Sequence, residues 1–547
     1  MKHYIFLLLG VVMLGSSCSL LDTVPHDTYT PSEFYSNQDE VEMALNGVYA
    51  TMAATQLYGG EILARMGLMG DIGSQDYSND QSSVGDYDIQ PSDTKIQKYW
   101  QYCYEGVNRA NLLMAHIDQA NLEPALRNSY YAQAQFLRGY YHFMLAVRFR
   151  NIPLMLAPVA NGMAESVQVA QSDPRDTYLQ IISDMETAIE YLPLAANVEN
   201  PGRVSQSTAY GILARVALNF AGYPLYEPGM YAKAKGYAQK VIETGYHSLH
   251  PSYEELFKCY IQDRYYPQES LWEVEFYGNN EGTYSATAGR VGRDNGIACS
   301  STALRTEIMP NGMTVVDTYG SAYGMIRSNP YYFGLFDAAD LRRDWTIAPY
   351  IYSADYVKYP DFKQPTANNW QPCCGKFRRE YELLRPRSTN YTPINFPLLR
   401  YADVLLMWAE AVAADVTNNS SEDLAMAHEY VNQVRRRGYG KEVMTPDPTV
   451  DIAPISKGDL YEFIKEERAR ELGYECLRKD DLVRWGDFML RMKYMKNLAS
   501  TIPETYTSSY YKSAIRYFNN VEARDELWPI PTYELGVNRK LVQNPGF

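Results

Sequence analysis

A chain of 547 residues is long enough to bury a large hydrophobic core and is usually divided into two or more lobes. Its formal net charge of −15 argues against nucleic-acid binding, because the neutralisation of phosphates requires a basic surface. Tyrosine is unusually frequent, with 49 residues, and suits a hydrated recognition surface because its ring packs while its hydroxyl forms hydrogen bonds.

The first residues predict an export signal rather than part of the fold. Lys2 precedes eleven largely apolar residues, which are too few to cross the roughly 30 Å core of a bilayer. The small residues that end in Cys18 resemble a lipoprotein signal, in which this cysteine is acylated and becomes the new N-terminus. We therefore expect residues 1–17 to be a signal peptide, Cys18 to be the lipidation site, and residues 18–37 to be a lipidated tether. Several acyl chains on one cysteine would provide a stable membrane anchor.

The cysteines after Cys18 show no pair with the spacing of metal ligands. They are Cys103, Cys259, Cys299, Cys373, Cys374 and Cys476. An exported protein can form disulfides, but the sequence leaves their pairing open. The acidic loop from Gly67 to Ser92 does not match the spacing of a calcium-binding loop, and the sequence leaves open whether a calcium ion binds. We therefore expect no metal site and no cofactor.

Amphipathic helices account for most of residues 38–245, which we expect to form an N-terminal helical scaffold. Apolar residues recur at three- and four-residue steps in this region, and Ser205 is placed to cap one predicted helix. The predicted helices cover about 38–54, 97–150 (in two segments divided near Pro124), 173–192, 205–221 and 230–244. Paired helices at this spacing suggest tetratricopeptide-like units.

Helical periodicity fades over residues 246–396, where Gly, Pro, Asn, Asp and Tyr dominate. The aromatic residues of this region lie in predicted loops rather than on one face of a helix. Loops held by a rigid scaffold often carry binding residues. We therefore expect residues 246–396 to be a loop-rich ligand-binding region.

Residues 397–547 are predicted to be helical again and to complete the scaffold. The predicted helices cover about 424–437, 459–475 and 480–496, after one that begins near Leu398. Arg400 and Asp403 lie one turn apart in that first helix and can pair. Charges within so apolar a helix require partners, which indicates a buried structural ion network rather than a catalytic site.

The segment around this helix resembles the signature of the SusD/RagB family. The matching residues are Asn395, Leu398-Leu399-Arg400-Tyr401-Ala402-Asp403-Val404-Leu405-Leu406 and Ala409-Glu410-Ala411. Earlier blocks that also resemble the family are Trp100 with Asn108-Arg109-Ala110-Asn111, and Phe136-Leu137-Arg138 with Tyr140-Tyr141 and Ile152-Pro153-Leu154. Members of this family are surface lipoproteins of Bacteroidota that capture nutrients for a TonB-dependent outer-membrane transporter.

The resemblance implies a mostly α-helical fold, in which tetratricopeptide-like units pack as a right-handed superhelix beside the loop-rich region. It also implies a SusC-like TonB-dependent transporter as the partner, and a lipid-anchored, surface-exposed position on the outer membrane. The likeness is weakest over residues 246–390, where ligand specificity would reside.

The sequence does not predict an enzyme. It has no His-Glu-x-x-His motif, no Gly-x-Ser-x-Gly motif and no phosphate-binding glycine-rich loop. Glu466-Glu467 and Asp480-Asp481 are carboxylate pairs of the kind that a glycosidase uses. Both pairs lie in arginine-rich helices that the family resemblance marks as scaffold, so we expect them to be structural.

Oligosaccharide binding is therefore the predicted function. Sugar rings stack on aromatic side chains, and their hydroxyls form hydrogen bonds with amides and guanidinium groups. The candidate ligand-binding residues are Tyr77, Tyr284, Tyr323, Tyr352, Trp370, Asn280, Arg290 and Asn369. For each of them, loop packing or a contact with the transporter is an alternative role.

Two other functions remain open. One is a peptide-binding protein of the same kind of importer, whose pocket would recognise backbone groups and terminal charges. The other is a helical-repeat scaffold that organises surface enzymes and binds no ligand. The sequence does not decide which glycan binds, or whether the ligand is a glycan or a peptide.

Overall fold

The computed structural model of the chain describes residues 34–76, 83–159, 167–278, 289–299, 308, 312–352, 358–359, 369–418 and 420–547. Within these ranges the protein is mostly helical and its strands are few and short, which confirms the predicted fold class. The predicted lipidation site Cys18 lies outside the described residues.

The N-terminal scaffold is a series of helices that pack on their neighbours in sequence. They are α1 (Gln38–Ala50), α2 (Glu61–Arg65), α3 (Thr94–His116), α4 (Pro124–Phe149), α5 (Pro174–Ile189), α6 (Gln206–Ala221) and α7 (Met230–Ile242), with strand β1 (Gly73–Gln75) between α2 and α3. Helix α3 packs on α4, α4 on α5, α5 on α6 and α6 on α7. The predicted cap is confirmed, because the Ser205 side chain accepts a hydrogen bond from the Thr208 backbone N–H at 3.2 Å.

A glycine allows the close approach of α3 and α4. A Cβ atom at Gly106 would lie 2.4 Å from the ring of Tyr141, so a larger residue would force the two helices apart. The Tyr141 hydroxyl donates to the Val48 carbonyl oxygen at 2.6 Å, which ties α1 to the same contact. The aromatic residues on this side of α4 therefore belong to the core.

The described residues of the middle of the chain form short elements. They are α8 (Tyr253–Ile261), β2 (Ser270–Val274), α9 (Val291–Asn295), α10 (Val315–Tyr319), β3 (Ile326–Ser328), α11 (Pro330–Gly334), α12 (Leu341–Thr346), β4 (Ile351–Tyr352), β5 (Lys358–Tyr359) and β6 (Phe396–Arg400). Antiparallel pairs join β1 to β3, β2 to β6 and β4 to β5. Helix α8 lies in the region predicted to be loops. It was not predicted from the sequence, because 9 residues are too few to show a clear helical period.

The C-terminal helices extend the same stack. They are α13 (Tyr401–Ala414), α14 (Ser421–Gly438), α15 (Lys457–Leu472), α16 (Arg478–Arg484), α17 (Phe488–Ala499), α18 (Ser509–Asn520) and α19 (Thr532–Val537). Helix α13 is buried over most of its length and packs against α7, α14 and α15. The first and last parts of the chain therefore share one core.

The predicted pair between Arg400 and Asp403 is wrong. Arg400 is the last residue of β6 and has an extended backbone, so its side chain does not follow the face of α13. Its Nη1 lies 2.8 Å from Glu471 Oε1 and 2.9 Å from Glu269 Oε1. Its Nη2 lies 2.8 Å from Glu475 Oε1. The predicted ion network exists, but Arg400 finds its partners across the fold.

Glu471, on α15, is the centre of this network. Arg437 contributes a guanidinium that donates to Glu471 and to both carboxylate oxygens of Glu269, the latter at 3.0 Å. Arg342, from the middle of the chain, donates to Glu471 Oε2 at 3.1 Å. All of these side chains are almost completely buried. The network therefore joins the loop-rich middle region to the helical scaffold.

Asp403 belongs to a second buried network. Its two carboxylate oxygens each lie 2.6 Å from a guanidinium nitrogen, one of Arg215 and one of Arg468. Arg468 also donates to Asp481 at 2.9 Å. Burial would raise the pKa of Asp403, but Arg468 and Arg215 outweigh it and lower the pKa to about 2. The predicted structural role of Asp480-Asp481 agrees with these contacts, since the Asp480 carboxylate pairs with Arg148 at 2.9 Å.

Candidate functional site

Extended segments in the middle region form a small platform. Strand β3 pairs with β1 on one side and with residues 372–374 on the other. On that second side, the Ser328 N–H donates to the Pro372 carbonyl at 2.8 Å, and the Cys374 N–H donates to the Ile326 carbonyl at 3.2 Å. Residues 346–348 continue the platform on the far side of residues 372–374. Much of the region predicted to be loops is therefore held by backbone hydrogen bonds.

Tyr323 and Arg290 are brought into one cluster beside this platform. The Arg293 guanidinium lies over the Tyr323 ring, 3.7 Å from its centroid. Arg290 forms two hydrogen bonds with Asp294, at 2.9 and 3.2 Å. Burial would raise the pKa of Tyr323, but the charges of Arg293 and Arg290 lower it below its ordinary value.

This cluster has the chemistry of a polar recognition surface. The Tyr323 ring and the Arg290 side chain are each only partly buried, whereas Arg293 and Asp294 are fully buried beneath them. The buried charges hold the two outer side chains in place. A partly exposed ring next to a partly exposed guanidinium can stack on an apolar face and donate hydrogen bonds to hydroxyls.

The Tyr352 ring does not present an open face to solvent. Its side chain is buried, and its hydroxyl and that of Tyr350 donate to the two carboxylate oxygens of Glu380. The Tyr319 ring packs on Tyr352 with the ring centroids 5.0 Å apart. In the described structure Tyr352 therefore packs within the middle region, which is the alternative role considered for it.

Trp370 is likewise a core residue. Its side chain is 1% exposed, and its ring packs against Phe518 of α18 with the centroids 5.9 Å apart. The expectation that it offers a ring face to a sugar is wrong for this conformation. Its neighbour Asn369 is partly exposed, and its side-chain oxygen accepts a hydrogen bond from the Gln371 N–H at 3.4 Å.

The other candidates, Tyr77, Asn280 and Tyr284, lie outside the described residues. Arg293 and Asp294 were not among the candidate residues predicted from the sequence. Their burial beneath Tyr323 is what gives them a positioning role, and a single sequence carries no signal of it. Arg327 was missed for the same reason, although its Nε lies 3.0 Å from Asp76 Oδ2 at the edge of the platform.

The six cysteines after Cys18 are buried and form no disulfide within the part of the chain that the structure describes. Among those same residues, no helix is long and apolar enough to cross a bilayer. No group of three or more His, Cys, Asp or Glu side chains with a metal-binding arrangement occurs in the described ranges either.

The chain is similar to known proteins over nearly its full length. The chain is 26% identical to SusD-like protein P2 of Formosa agariphila over 568 aligned positions, covering 100% of both chains. It is 24% identical to a SusD-like protein of Bacteroides ovatus, covering 89% of this chain and 83% of that relative.

Solved structures show the same architecture. A SusD homolog from Bacteroides thetaiotaomicron superposes with a TM-score of 0.82 at 25% identity, covering 94% of this chain and 98% of that one. A laminarin-binding SusD-like protein has the same fold, with a TM-score of 0.69 at 24% identity, covering 94% of this chain and 100% of that one.

Two family models match the sequence. One, described as starch-binding associating with outer membrane, matches residues 20–218. The other, described as the SusD family, matches residues 268–547, which is more than half of the chain. The predicted resemblance is therefore confirmed, and the chain belongs to the SusD family.

Proposed function

We propose that this protein is a glycan-binding lipoprotein of the outer membrane, anchored at the cell surface through Cys18. It captures an oligosaccharide and delivers it to a SusC-like TonB-dependent transporter. Membership of the SusD family carries this proposal, together with the description of the N-terminal family model as starch-binding and associated with the outer membrane. A structural relative was solved in complex with laminarihexaose, at 21% identity and a TM-score of 0.66.

The geometry around Tyr323 supports a role in binding rather than catalysis. A sugar ring presents a flat face of C–H groups that can stack on the Tyr323 ring, while its hydroxyls can accept hydrogen bonds from Arg290. Both side chains are held by the buried Arg293 and Asp294, so little conformational entropy is lost when a ligand binds. Capture of this kind changes no covalent bond in the ligand.

The first test is calorimetric titration of the full chain in mild detergent with maltohexaose, laminarihexaose, xylohexaose and a tryptic digest of casein. We expect saturable heat with at least one oligosaccharide, and a weaker affinity in Tyr323→Ala. Tyr191→Ala is the matched control, because Tyr191 is 44% exposed on the helical scaffold and should leave the affinity unchanged. Heat with the peptides alone would mean that the ligand is a peptide rather than a glycan. No heat with any probe would favour the alternative of a scaffold that binds no ligand.

Delivery to a transporter needs a separate test. The affinity-tagged chain, purified from outer membranes of its own organism, should bring down a TonB-dependent β-barrel in a near-equal molar amount. Recovery of the chain without such a barrel, from membranes that contain one, would contradict the delivery step and leave glycan binding intact.

A further inference from the structure

A cavity of about 280 Å³ lies between helices of the C-terminal scaffold. Its wall is formed by residues of α15, α16 and α17, together with Tyr331 of α11. Small-molecule sites usually have volumes of about 300–1,000 Å³, so a ligand of this cavity must be small. None of the residues in the cluster around Tyr323 lines it, so the cavity is separate from the surface proposed to bind a glycan.

Arg491 is the cation of this cavity that can still donate hydrogen bonds. Its Nε lies 3.0 Å from Oδ2 of Asp71, which is completely buried. Its Nη1 and Nη2 donate to no acceptor among the described residues, and its side chain is 28% exposed. Arg478 also binds Asp71, at 2.7 and 3.0 Å. Two guanidinium groups therefore share one carboxylate, and Arg491 can bind a further anion.

Aromatic rings hold Arg491 and form the apolar part of the cavity wall. The Arg491 guanidinium carbon lies 4.3 Å from the centroid of the Tyr331 ring, which packs against Tyr494 with the centroids 5.8 Å apart. Trp485 is fixed at another part of the wall, because its Nε1–H donates to Glu410 Oε1 at 2.8 Å. Tyr331 and Trp485 are both partly exposed, so a ligand in the cavity can pack against them.

Carboxylates of α15 border the same cavity. Glu462 and Glu466 lie one helical turn apart, and their side chains are 69% and 49% exposed. Glu462 pairs with Lys465 through Oε1 at 2.8 Å, and Glu466 pairs with Arg470 through Oε2 at 3.4 Å. The second oxygen of each carboxylate can therefore accept a hydrogen bond from a ligand. The cavity thus combines acceptors for a cation with a donor for an anion.

We propose that this cavity is a second binding site, which takes a small zwitterion of the α-amino-acid class with an apolar side chain. The carboxylate of the ligand accepts hydrogen bonds from the Nη groups of Arg491, and its ammonium group donates to Glu462 and Glu466. Its side chain packs against Tyr331 and Trp485. This inference goes beyond the proposed function, because it concerns a different cavity and a different class of ligand.

The lining also discriminates against other ligands. A neutral sugar would bring no charge to Arg491, and a dicarboxylic amino acid would place a second negative charge near the carboxylates of α15. An amine without a carboxylate would leave Arg491 without an anion. A molecule that carries one charge of each sign matches both parts of the wall.

The test is calorimetric titration of the full chain in mild detergent with phenylalanine, leucine and glutamate. We expect saturable heat with phenylalanine or leucine, at a Kd on the order of 1 mM or tighter, and weaker binding of glutamate. N-acetylphenylalanine lacks the ammonium group, and phenylalaninamide lacks the carboxylate. Each analogue should bind at least about ten-fold more weakly than phenylalanine, because one charged group of the site loses its partner.

Variants of the lining locate the site. Glu466→Gln and Arg491→Gln should each weaken phenylalanine binding about ten-fold. Arg491→Gln should also bind phenylalanine and phenylalaninamide with nearly equal affinity, which a merely structural role of Arg491 would not produce. Lys493→Gln is the matched control, since Lys493 is exposed on the same helix and does not line the cavity. Circular dichroism shows whether each variant is folded, and the exposed Glu466 keeps the test decisive if Arg491→Gln does not fold.

Separate outcomes decide this inference and the proposed function. If neither phenylalanine nor leucine gives saturable heat up to about 20 mM, this inference is wrong, and glycan binding by the same preparation would leave the proposed function intact. If N-acetylphenylalanine binds as well as phenylalanine, the site takes an anion and the choice of a zwitterion is overturned. Phenylalanine binding that is unchanged in Glu466→Gln and in Arg491→Gln would contradict the assignment to this cavity. Phenylalanine binding without any glycan binding would support this inference while the proposed function fails.

Discussion

Replacement of Glu471 by glutamine tests the largest energetic claim drawn from the structure. The Glu471 carboxylate is completely buried and accepts hydrogen bonds from Arg342, Arg400 and Arg437. A hydrogen bond to a charged group contributes about 1.5–3 kcal/mol. Each of the three arginines keeps another carboxylate partner in the variant, so we expect the loss to be smaller than their sum. The free energy of unfolding should fall by about 3–5 kcal/mol, the range for breaking one side of a buried ion pair.

The same variant should change how stability depends on pH. Burial alone would raise the pKa of Glu471, but Arg437, Arg400 and Arg342 lower it well below its ordinary value. A carboxyl with a lowered pKa stabilises the fold above its unfolded pKa of about 4.5, and this contribution is lost as the pH falls toward the folded pKa. The difference between the unmodified chain and Glu471→Gln should therefore be largest at neutral pH and shrink below about pH 4.5.

Equilibrium urea unfolding, followed by tryptophan fluorescence, measures both effects. The control is Glu243→Gln, because Glu243 is 53% exposed and its Lys240 partner lies 3.6 Å away on the surface. Such a pair contributes about 0–1 kcal/mol. A loss in Glu471→Gln no larger than in this control, or a difference that does not change with pH, would refute the argument that the network stabilises the fold.

Three further predictions concern single side chains. Trp370→Ala should lower the free energy of unfolding, measured in urea, by about 3–5 kcal/mol, as expected for a buried aromatic residue. The glycan affinity of the folded fraction of this variant should stay the same. Glu273 is 2% exposed, and its pKa is raised to about 8 by burial. The stability that the protonated Glu273 contributes is fully present below its unfolded pKa of about 4.5 and is lost as the pH rises through 8. The urea midpoint of Glu273→Gln should therefore fall less between about pH 6 and pH 9 than that of the unmodified chain. Ser205→Ala removes a helix cap and should lower the free energy of unfolding by about 1 kcal/mol; an unchanged urea midpoint would contradict the role of the Ser205–Thr208 hydrogen bond.

The helical scaffold could be predicted from the sequence because its signals are local. Apolar periodicity and the cap at Ser205 each depend on neighbouring residues, and both agree with the structure. The partner of Arg400 could not be predicted in this way. Spacing alone pointed to Asp403, whereas the extended backbone at Arg400 directs its side chain to carboxylates distant in the sequence.

The binding surface was harder to predict, because a single sequence does not show which aromatic rings are exposed. Trp370 and Tyr352 occur in segments that read as loops, yet packing against Phe518 and hydrogen bonding to Glu380 bury them.

The Glu471 network also has a consequence for the order in which the chain folds. Arg437 and Glu269 are separated by 168 positions in the sequence, and Arg400 and Glu269 by 131. Such distant groups can meet only after long loops close, so this centre should be completed late in folding. Until then its charges stay hydrated, which keeps an incompletely folded chain from collapsing around them. Once complete, it should make the middle region and the scaffold unfold together as a single cooperative unit.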